Sequence, residues 1–207
     1  MGKSTQQALL ADWLRAQGRE VVLTREPGGT PLGAEIRRLL LHGEHVDPRA
    51  EALLYAADRA HHVATVVRPA LASGAVVVVD RYVDSSVAYQ GAARSLGTDE
   101  VRELSRWATD GLTPDVTLLL DLDPAIGAAR RAGRPDRLER AGETFHDRVR
   151  EQFLAIATAE PDRVVVLDAS LGIEEVHARA RAAVGRVLPA TGSAPVGRGP
   201  GDAEVTP

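Results

Sequence analysis

Apolar residues follow two patterns along this chain: stripes with helical spacing, and short runs rich in β-branched side chains. A continuous apolar run is typical of a parallel strand buried on both faces, whereas a stripe indicates an amphipathic helix. We predict strands at residues 20–24, 75–79, 116–120 and 164–167. We predict helices at residues 4–17, 31–40, 48–73, 84–94, 98–109, 124–132, 143–159 and 172–188. Because strands and helices alternate, the sequence predicts an α/β fold with a parallel sheet flanked by helices.

Length and composition favour one globular domain. A chain of 207 residues with 44% hydrophobic and 26% charged residues suits a single core, which we assign to residues 1–188. The Pro- and Gly-rich residues 189–207 are predicted to be a disordered tail. The chain has no cysteine, which excludes a disulfide scaffold and suits a cytoplasmic protein. No apolar window is long enough to span a membrane, and a net charge of −4 disfavours a broad nucleic-acid groove, so we expect neither partner.

All but one of the 25 basic residues are arginine, and the exception is Lys3. Codon bias explains the ratio but not the position, since Lys3 lies in the sequence Gly-Lys-Ser-Thr at the start of a predicted helix. This is the end of a phosphate-binding loop, G-x-x-x-x-G-K-[ST], whose backbone amides and lysine bind phosphates and whose hydroxyl binds Mg²⁺. Only this last part of the loop is present, so the fragment alone is weak evidence.

Two segments follow predicted strands at the edge where α/β sheets bind ligands. Asp80 ends the most apolar strand, where an acidic residue helps to hold Mg²⁺ on phosphates; the alternative is a strand-capping Asp paired with Arg81. Residues 24–30 carry proline and glycines that are also ordinary turn residues. Arg37 and Arg38 lie one to two turns into the next helix, which makes an anion site there plausible.

Three further patterns admit a functional or a structural interpretation. Tyr55 and Arg59 share a helix face, as do Ser86 and Gln90. An aromatic ring can stack on a base, and the polar groups can bind the edge of the base. The same spacing equally fits residues at an interface between helices. Residues 130–140 contain five arginines, which suits either a solvated loop or the lid of a phosphoryl-transfer enzyme at about residues 130–142.

Taken together, four motifs resemble bacterial thymidylate kinases. They are TREPGGTPLGAEIRRLLL from Thr24, YAADR at 55–59, DRYVDSSVAYQGAAR at 80–94, and the arginine-rich stretch before Thr-Phe-His at 144–146. The resemblance runs from residue 2 to about residue 188 in order. It implies a P-loop nucleoside-monophosphate kinase fold and Mg²⁺-dependent transfer of the γ-phosphoryl group of ATP to dTMP, giving dTDP for dTTP synthesis. It also implies a homodimer.

The resemblance implies a role for each matching residue. Those at the ATP phosphates are Gly2, Lys3, Ser4 and Thr5, and those at the metal are Ser4, Asp80 and Glu26. At dTMP, Arg37 would bind the phosphate, and Tyr55 would stack on thymine in place of the family's phenylalanine. Arg59, Ser86 and Gln90 would contact the base, Tyr89 would lie beside the 2′ position, and Arg81 would also bind dTMP. Those in catalysis are Lys3, Arg81 bridging both phosphates, and the lid arginines Arg131, Arg134 and Arg137.

One departure from the family pattern concerns the N-terminus. Family members begin with a hydrophobic strand and a complete loop, whereas this sequence begins at the Gly-Lys, so we expect the first, central strand of the sheet to be missing. We interpret this as a misassigned start or a fragment. Two alternative functions follow: a catalytically impaired nucleotide-binding fragment, and a related P-loop kinase for another nucleotide or a deoxynucleoside.

Overall fold

The computed structural model describes residues 2–123, 126–127, 137–138 and 140–188. The strands are β1 Val21–Arg25, β2 Val76–Asp80, β3 Thr117–Asp121 and β4 Val164–Asp168. The α-helices are α1 Lys3–Ala16, α2 Pro31–His42, α3 Pro48–His62, α4 Arg68–Ala72, α5 Val83–Ser86, α6 Thr98–Thr109, α7 Glu143–Ala159 and α8 Ile173–Gly185. The predicted alternation is confirmed, although the helix predicted at 124–132 lies mostly outside the described residues. None of the helices in these ranges combines the length and apolar character needed to cross a membrane.

Helix α2 begins as the sequence predicts. The Thr30 hydroxyl accepts a hydrogen bond of 2.9 Å from the Gly33 amide, and Pro31 occupies the first helical position. An N-cap of this kind satisfies an amide that the helix itself leaves unpaired, and proline is suited to this position because it has no amide to satisfy. The cap therefore fixes the point at which the chain leaves the loop after β1.

Two π-helical stretches interrupt helices that the apolar pattern predicts as regular. Val63–Val67 joins α3 to α4, and Val87–Ala93 extends α5. In the second stretch the Arg94 amide donates to the Tyr89 carbonyl at 3.0 Å, five residues back. Single π-helical turns are rare and often lie at functional sites, and this one carries two of the residues predicted at dTMP.

The strands form two parallel sheets rather than one. β1 pairs with β2, with Val21 opposite Val76 and Arg25 opposite Asp80. β3 pairs with β4 in the same parallel sense. Among the described residues, no backbone ladder joins the two sheets. The predicted parallel strands are thus confirmed, but they do not make one continuous sheet.

Helices α1 and α8 join the two sheets through a common apolar cluster. Leu10 and Leu14 of α1 and Val184 of α8 pack against side chains from β1, β2 and β3. Every residue of β2 and β3 is nevertheless only half-buried. Their apolar runs predict burial on both faces, and the structure does not confirm this for β2 and β3.

A second apolar cluster holds the helices that carry the predicted acceptor residues. Its buried members are Ile36, Leu40, Leu41, Tyr55, Ala88, Ala93, Leu138, Phe145 and Val149. They come from α2, α3, the Val87–Ala93 stretch, the Leu138 segment and α7. Packing in this cluster therefore fixes α3 against the π-helical stretch.

Truncating Leu40 tests this cluster. Leu40 is fully buried, so Leu40→Ala removes packed methyl groups and leaves a cavity, and we expect the free energy of unfolding to fall by about 2–5 kcal/mol. Its neighbour Leu39 is 43% exposed, so we expect Leu39→Ala to change stability by less than about 1 kcal/mol. Urea unfolding of both variants measures the difference, and equal losses would contradict the assigned burial.

Candidate active site

The Gly-Lys-Ser-Thr fragment and Asp80 meet in the structure. Gly2 has a φ of 105° and precedes α1, and the Nζ atom of Lys3 lies 3.9 Å from Asp80 Oδ1 at the end of β2. The side chain of Gln7 holds α1 in this position, since its Nε2 donates to the Thr24 carbonyl at 3.0 Å and to the Val78 carbonyl at 3.2 Å. The end of β2 and the N-terminus of α1 thus converge.

Arg81 follows Asp80 in a left-handed backbone conformation. Its φ is 71°, which is unfavourable for a residue with a side chain and is found preferentially at functional sites. The guanidinium lies 5.0 Å from the centre of the Tyr89 ring, and an Arg81 Nη donates to the Tyr89 hydroxyl at 3.3 Å. Arg81 and Tyr89, both predicted at dTMP, are therefore brought together.

A buried ion pair lies beneath this edge. The Nε atom of Arg59 donates to Glu26 Oε2 at 2.7 Å, and both side chains are 2% exposed. The other Arg59 nitrogens donate to Ser86 Oγ at 3.0 Å and to Ser105 Oγ at 3.2 Å. Arg59 and Ser86, both predicted at the base, are thus brought together, and three of the five N–H donors of Arg59 are directed to protein groups.

His62 completes this network and was assigned no site role from the sequence. Its Nδ1 donates to Glu26 Oε1 at 2.9 Å, and its Nε2 lies 2.7 Å from Thr24 Oγ1. Both oxygens of Glu26 therefore have protein partners, one hydrogen bond on each. The available signal was spacing, because His62 lies three residues after Arg59 and so on the same face of α3.

The loop after β1 closes over Asp58 and Arg37. An Arg37 Nη donates to the Pro27 carbonyl at 3.0 Å, and the Gly28 amide donates to Asp58 Oδ1 at 3.1 Å. Gly28 has a φ of 105°, so a side chain there would be strained, and an added Cβ would also lie only 3.0 Å from Arg37 Cδ. Burial raises the pKa of the Asp58 carboxyl, which is fully enclosed. Arg38, by contrast, forms a surface pair with Glu35.

The remaining predicted residues lie nearer the N-terminus of α3. Tyr55 is a member of the apolar cluster, and Gln90 Nε2 donates to Glu51 Oε1 at 2.8 Å. Arg137 forms an ion pair with Glu51 of α3 and donates to the Leu40 carbonyl of α2 at 2.7 Å. These two contacts hold the Arg137 side chain against both helices. Arg131 and Arg134 lie outside the described residues.

A helix that begins with Gly-Lys-Ser-Thr beside an acidic strand end, within parallel strands flanked by helices, defines a P-loop nucleoside-monophosphate kinase fold. The structure superposes on a thymidylate kinase from Ehrlichia chaffeensis with a TM-score of 0.75 and 31% identity, covering 89% of this chain and 92% of that chain. The sequence model of the family described as thymidylate kinase matches residues 1–180. The chain belongs to the thymidylate kinase family.

Several bacterial relatives show the same family over nearly their full length. A thymidylate kinase from Clavibacter michiganensis is 58% identical over 198 residues, covering 94% of each chain. One from Leifsonia xyli is 62% identical over 185 residues, covering 87% of this chain and 88% of the relative. One from Synechococcus is 52% identical over 189 residues, covering 91% of each.

Replacing Asp58 tests its burial. Burial raises the pKa of Asp58, so the folded state holds the Asp58 proton more tightly than the unfolded state. The contribution of this proton to the free energy of unfolding is therefore lost as the pH rises from about 4 through the raised pKa. Asp58→Asn removes this dependence. We expect the free energy of unfolding of the variant, relative to wild type, to increase between about pH 4 and pH 7.

Urea unfolding across this pH range measures the relative stability. Asp47→Asn is the matched control, because Asp47 is an exposed N-cap of α3 and Asn caps equally well. A difference between Asp58→Asn and wild type that does not change with pH would contradict the raised pKa of Asp58.

Proposed function

We propose that this chain transfers the γ-phosphoryl group of ATP to dTMP, forming ADP and dTDP for dTTP synthesis. The observation that carries the proposal is the meeting of Lys3 and Asp80 at the N-terminus of α1, in a member of the thymidylate kinase family. An amine and a carboxylate at this point suit a nucleotide phosphate and its cation, respectively. The names of the relatives support dTMP over another nucleotide as the acceptor.

On the donor side, the α1 N-terminus would bind the ATP phosphates. The Lys3 side chain is 45% exposed and so remains accessible to an anion while it pairs with Asp80. The amides of the first helical turn point outward from α1 and add to this positive field. We assign Gly2, Lys3, Ser4 and Thr5 to the phosphates on this basis.

The residues present fit Mg²⁺ held jointly with the nucleotide. Mg²⁺ is usually bound through one or two carboxylates together with phosphates and water, and it would neutralise charge on the ATP phosphates. Asp80 and the Ser4 hydroxyl lie on the two elements that meet here, whereas both Glu26 oxygens are engaged. In the described part of the chain, no three acidic or histidine side chains form a site of their own, which agrees with a cation brought by the nucleotide.

On the acceptor side, dTMP would lie between the loop after β1 and the Val87–Ala93 stretch. Arg37 is held at this loop by Pro27 and is assigned to the dTMP phosphate. Arg81 is stacked on Tyr89 beside Asp80, where it would bridge the acceptor and donor phosphates. Tyr89 is assigned to the 2′ position of the sugar.

The thymine base would contact Tyr55, Arg59, Ser86 and Gln90. The Arg59–Ser86 hydrogen bond supports this grouping, because it places two of the four side chains together. The lid role of Arg131, Arg134 and Arg137 rests on the resemblance alone. In this arrangement the enzyme supplies charge and position rather than a nucleophile, which is what phosphoryl transfer requires.

We further propose a cytoplasmic homodimer. Support for the dimer comes from apolar side chains exposed on neighbouring helices, Leu53 of α3 at 58% and Trp107 of α6 at 80%. Light scattering after gel filtration should give twice the mass of one chain, and the mass of a single chain would contradict the dimer.

An ADP-release assay over dTMP, dUMP, dCMP and dGMP tests the proposed reaction. We expect the highest kcat/KM with dTMP. Preference for another nucleotide would favour a related P-loop kinase. Binding of dTMP without turnover would identify a catalytically impaired nucleotide-binding protein instead.

Lys3→Ala tests the assignment of the donor site. Without the ammonium, transition-state charge is less stabilised, and we expect kcat to fall by at least about 100-fold while the affinity for dTMP is unchanged. Arg15→Ala is the matched control, since it removes an exposed basic residue from the same helix. Unchanged turnover in Lys3→Ala, or an equal loss in Arg15→Ala, would refute the role of Lys3.

A further inference from the structure

Glu51 of α3 is a fully buried carboxylate on which three donor side chains converge. Gln90 Nε2 donates to its Oε1 at 2.8 Å. Arg94 contacts both oxygens at 3.5 Å, and Arg137 forms an ion pair with Oε2. The two guanidinium groups balance the buried charge, because a carboxylate without partners at such a position would be costly.

This arrangement fixes the orientation of the Gln90 amide. An ionised carboxylate only accepts hydrogen bonds, so the Gln90 NH₂ group must face Glu51 and the carbonyl oxygen must face away. Gln90 is 1% exposed, and an amide held in this way has little freedom to turn over.

We propose that Glu51 is a positioning residue that makes Gln90 present its carbonyl oxygen to the base, so that the site selects a pyrimidine with an N3–H group. The inference rests on the proposed function, in which Gln90 contacts the base of the acceptor. Glu51 itself does not touch the substrate and acts through the amide.

The selection follows from the hydrogen-bonding groups of the bases. Thymine and uracil carry a donor at N3, which the Gln90 carbonyl can accept. Cytosine carries an acceptor at N3, so two lone pairs would face each other and a buried polar group would be left unpaired. The device therefore discriminates against dCMP but not against dUMP.

Glu51→Gln reverses the constraint without changing the shape of the side chain. Arg137 has only donors, so it retains the carbonyl oxygen of the new amide at the Oε2 position, where an Arg94 Nη also donates. The NH₂ group is then directed towards Gln90, and only the 3.5 Å contact of Arg94 Nε is lost. Gln90 must then turn its own carbonyl to position 51 and its NH₂ group to the base. We expect the dTMP to dCMP ratio of kcat/KM to fall at least about 10-fold, with the dTMP to dUMP ratio unchanged.

A double-mutant cycle separates positioning from a general structural effect. Gln90→Leu keeps both Glu51 ion pairs and removes the amide, so it should lower the dTMP to dCMP ratio by itself. In the Gln90→Leu background, Glu51→Gln should have no further effect on this ratio. An equal additional loss would show that Glu51 does not act through Gln90.

The control is the same change at another buried carboxylate with an arginine partner. Asp84 pairs with Arg163 at 2.8 and 2.9 Å, and Asp84→Asn should lower stability without changing either ratio. An unchanged dTMP to dCMP ratio in folded Glu51→Gln would overturn the proposal. If Glu51→Gln does not fold, Gln90→Leu decides, and an unchanged ratio there overturns it equally.

Calorimetric titration of dTMP, dCMP and dUMP with the same proteins keeps this test separate from the test of the proposed function. Loss of dTMP preference in Kd supports the role of Glu51 even if the wild-type chain shows no turnover. Absence of turnover in wild type, with the affinity ratios shifted as expected, would count against the reaction and not against the positioning of Gln90.

Discussion

The pairing of Glu26 with Arg59 is the constraint on which the candidate site depends. Both side chains are 2% exposed, and their atoms lie 2.7 Å apart. Removing one partner from such a pair leaves a buried charge without compensation and costs about 3–5 kcal/mol. The pair is also bonded to Ser86 and Ser105, and through His62 to Thr24, so it fixes the end of β1, α3, α5 and α6 relative to one another.

This constraint divides the site into an accessible and an enclosed half. Lys3 and Asp80 lie at the accessible edge, where a highly charged nucleotide and its cation can replace their mutual contact. The acceptor residues lie on elements that buried pairs hold in place, the pair of Glu26 and Arg59 towards the C-terminal end of α3 and the contacts of Glu51 towards its N-terminal end. Phosphoryl transfer requires an acceptor held in position and charged groups that neutralise the phosphates, and the two halves of the site supply these separately.

The apolar pattern predicts the regular elements well, because each depends on local periodicity. The helices predicted at 98–109 and 143–159 have those bounds in the structure, and each strand agrees to within a residue or so. The π-helical stretches were not predicted, since the pattern of apolar residues does not encode a hydrogen bond to the fifth residue back. The division of the strands into two sheets has no signal in the apolar pattern, but it is what a missing central strand, expected from the resemblance, would produce.

For the site, the sequence identifies residue types but not their partners. Spacing places Arg59 near Tyr55 and Ser86 near Gln90, but it does not show that Arg59 pairs with Glu26 or that Gln90 is bonded to Glu51. The contact between Glu51 and Arg137 joins residues 86 positions apart, which periodicity cannot reveal. Asp80 is paired with Lys3 rather than with the neighbouring Arg81 that the simpler interpretation favoured.

The most direct test of the central claim is a ³¹P NMR spectrum of the wild-type chain incubated with ATP, Mg²⁺ and dTMP. We expect the signals of ADP and dTDP to appear together and in equal amounts as those of ATP and dTMP decline. Conversion of ATP to ADP and free phosphate without dTDP, or no conversion at all, would contradict the assignment of this chain as a dTMP-phosphorylating enzyme.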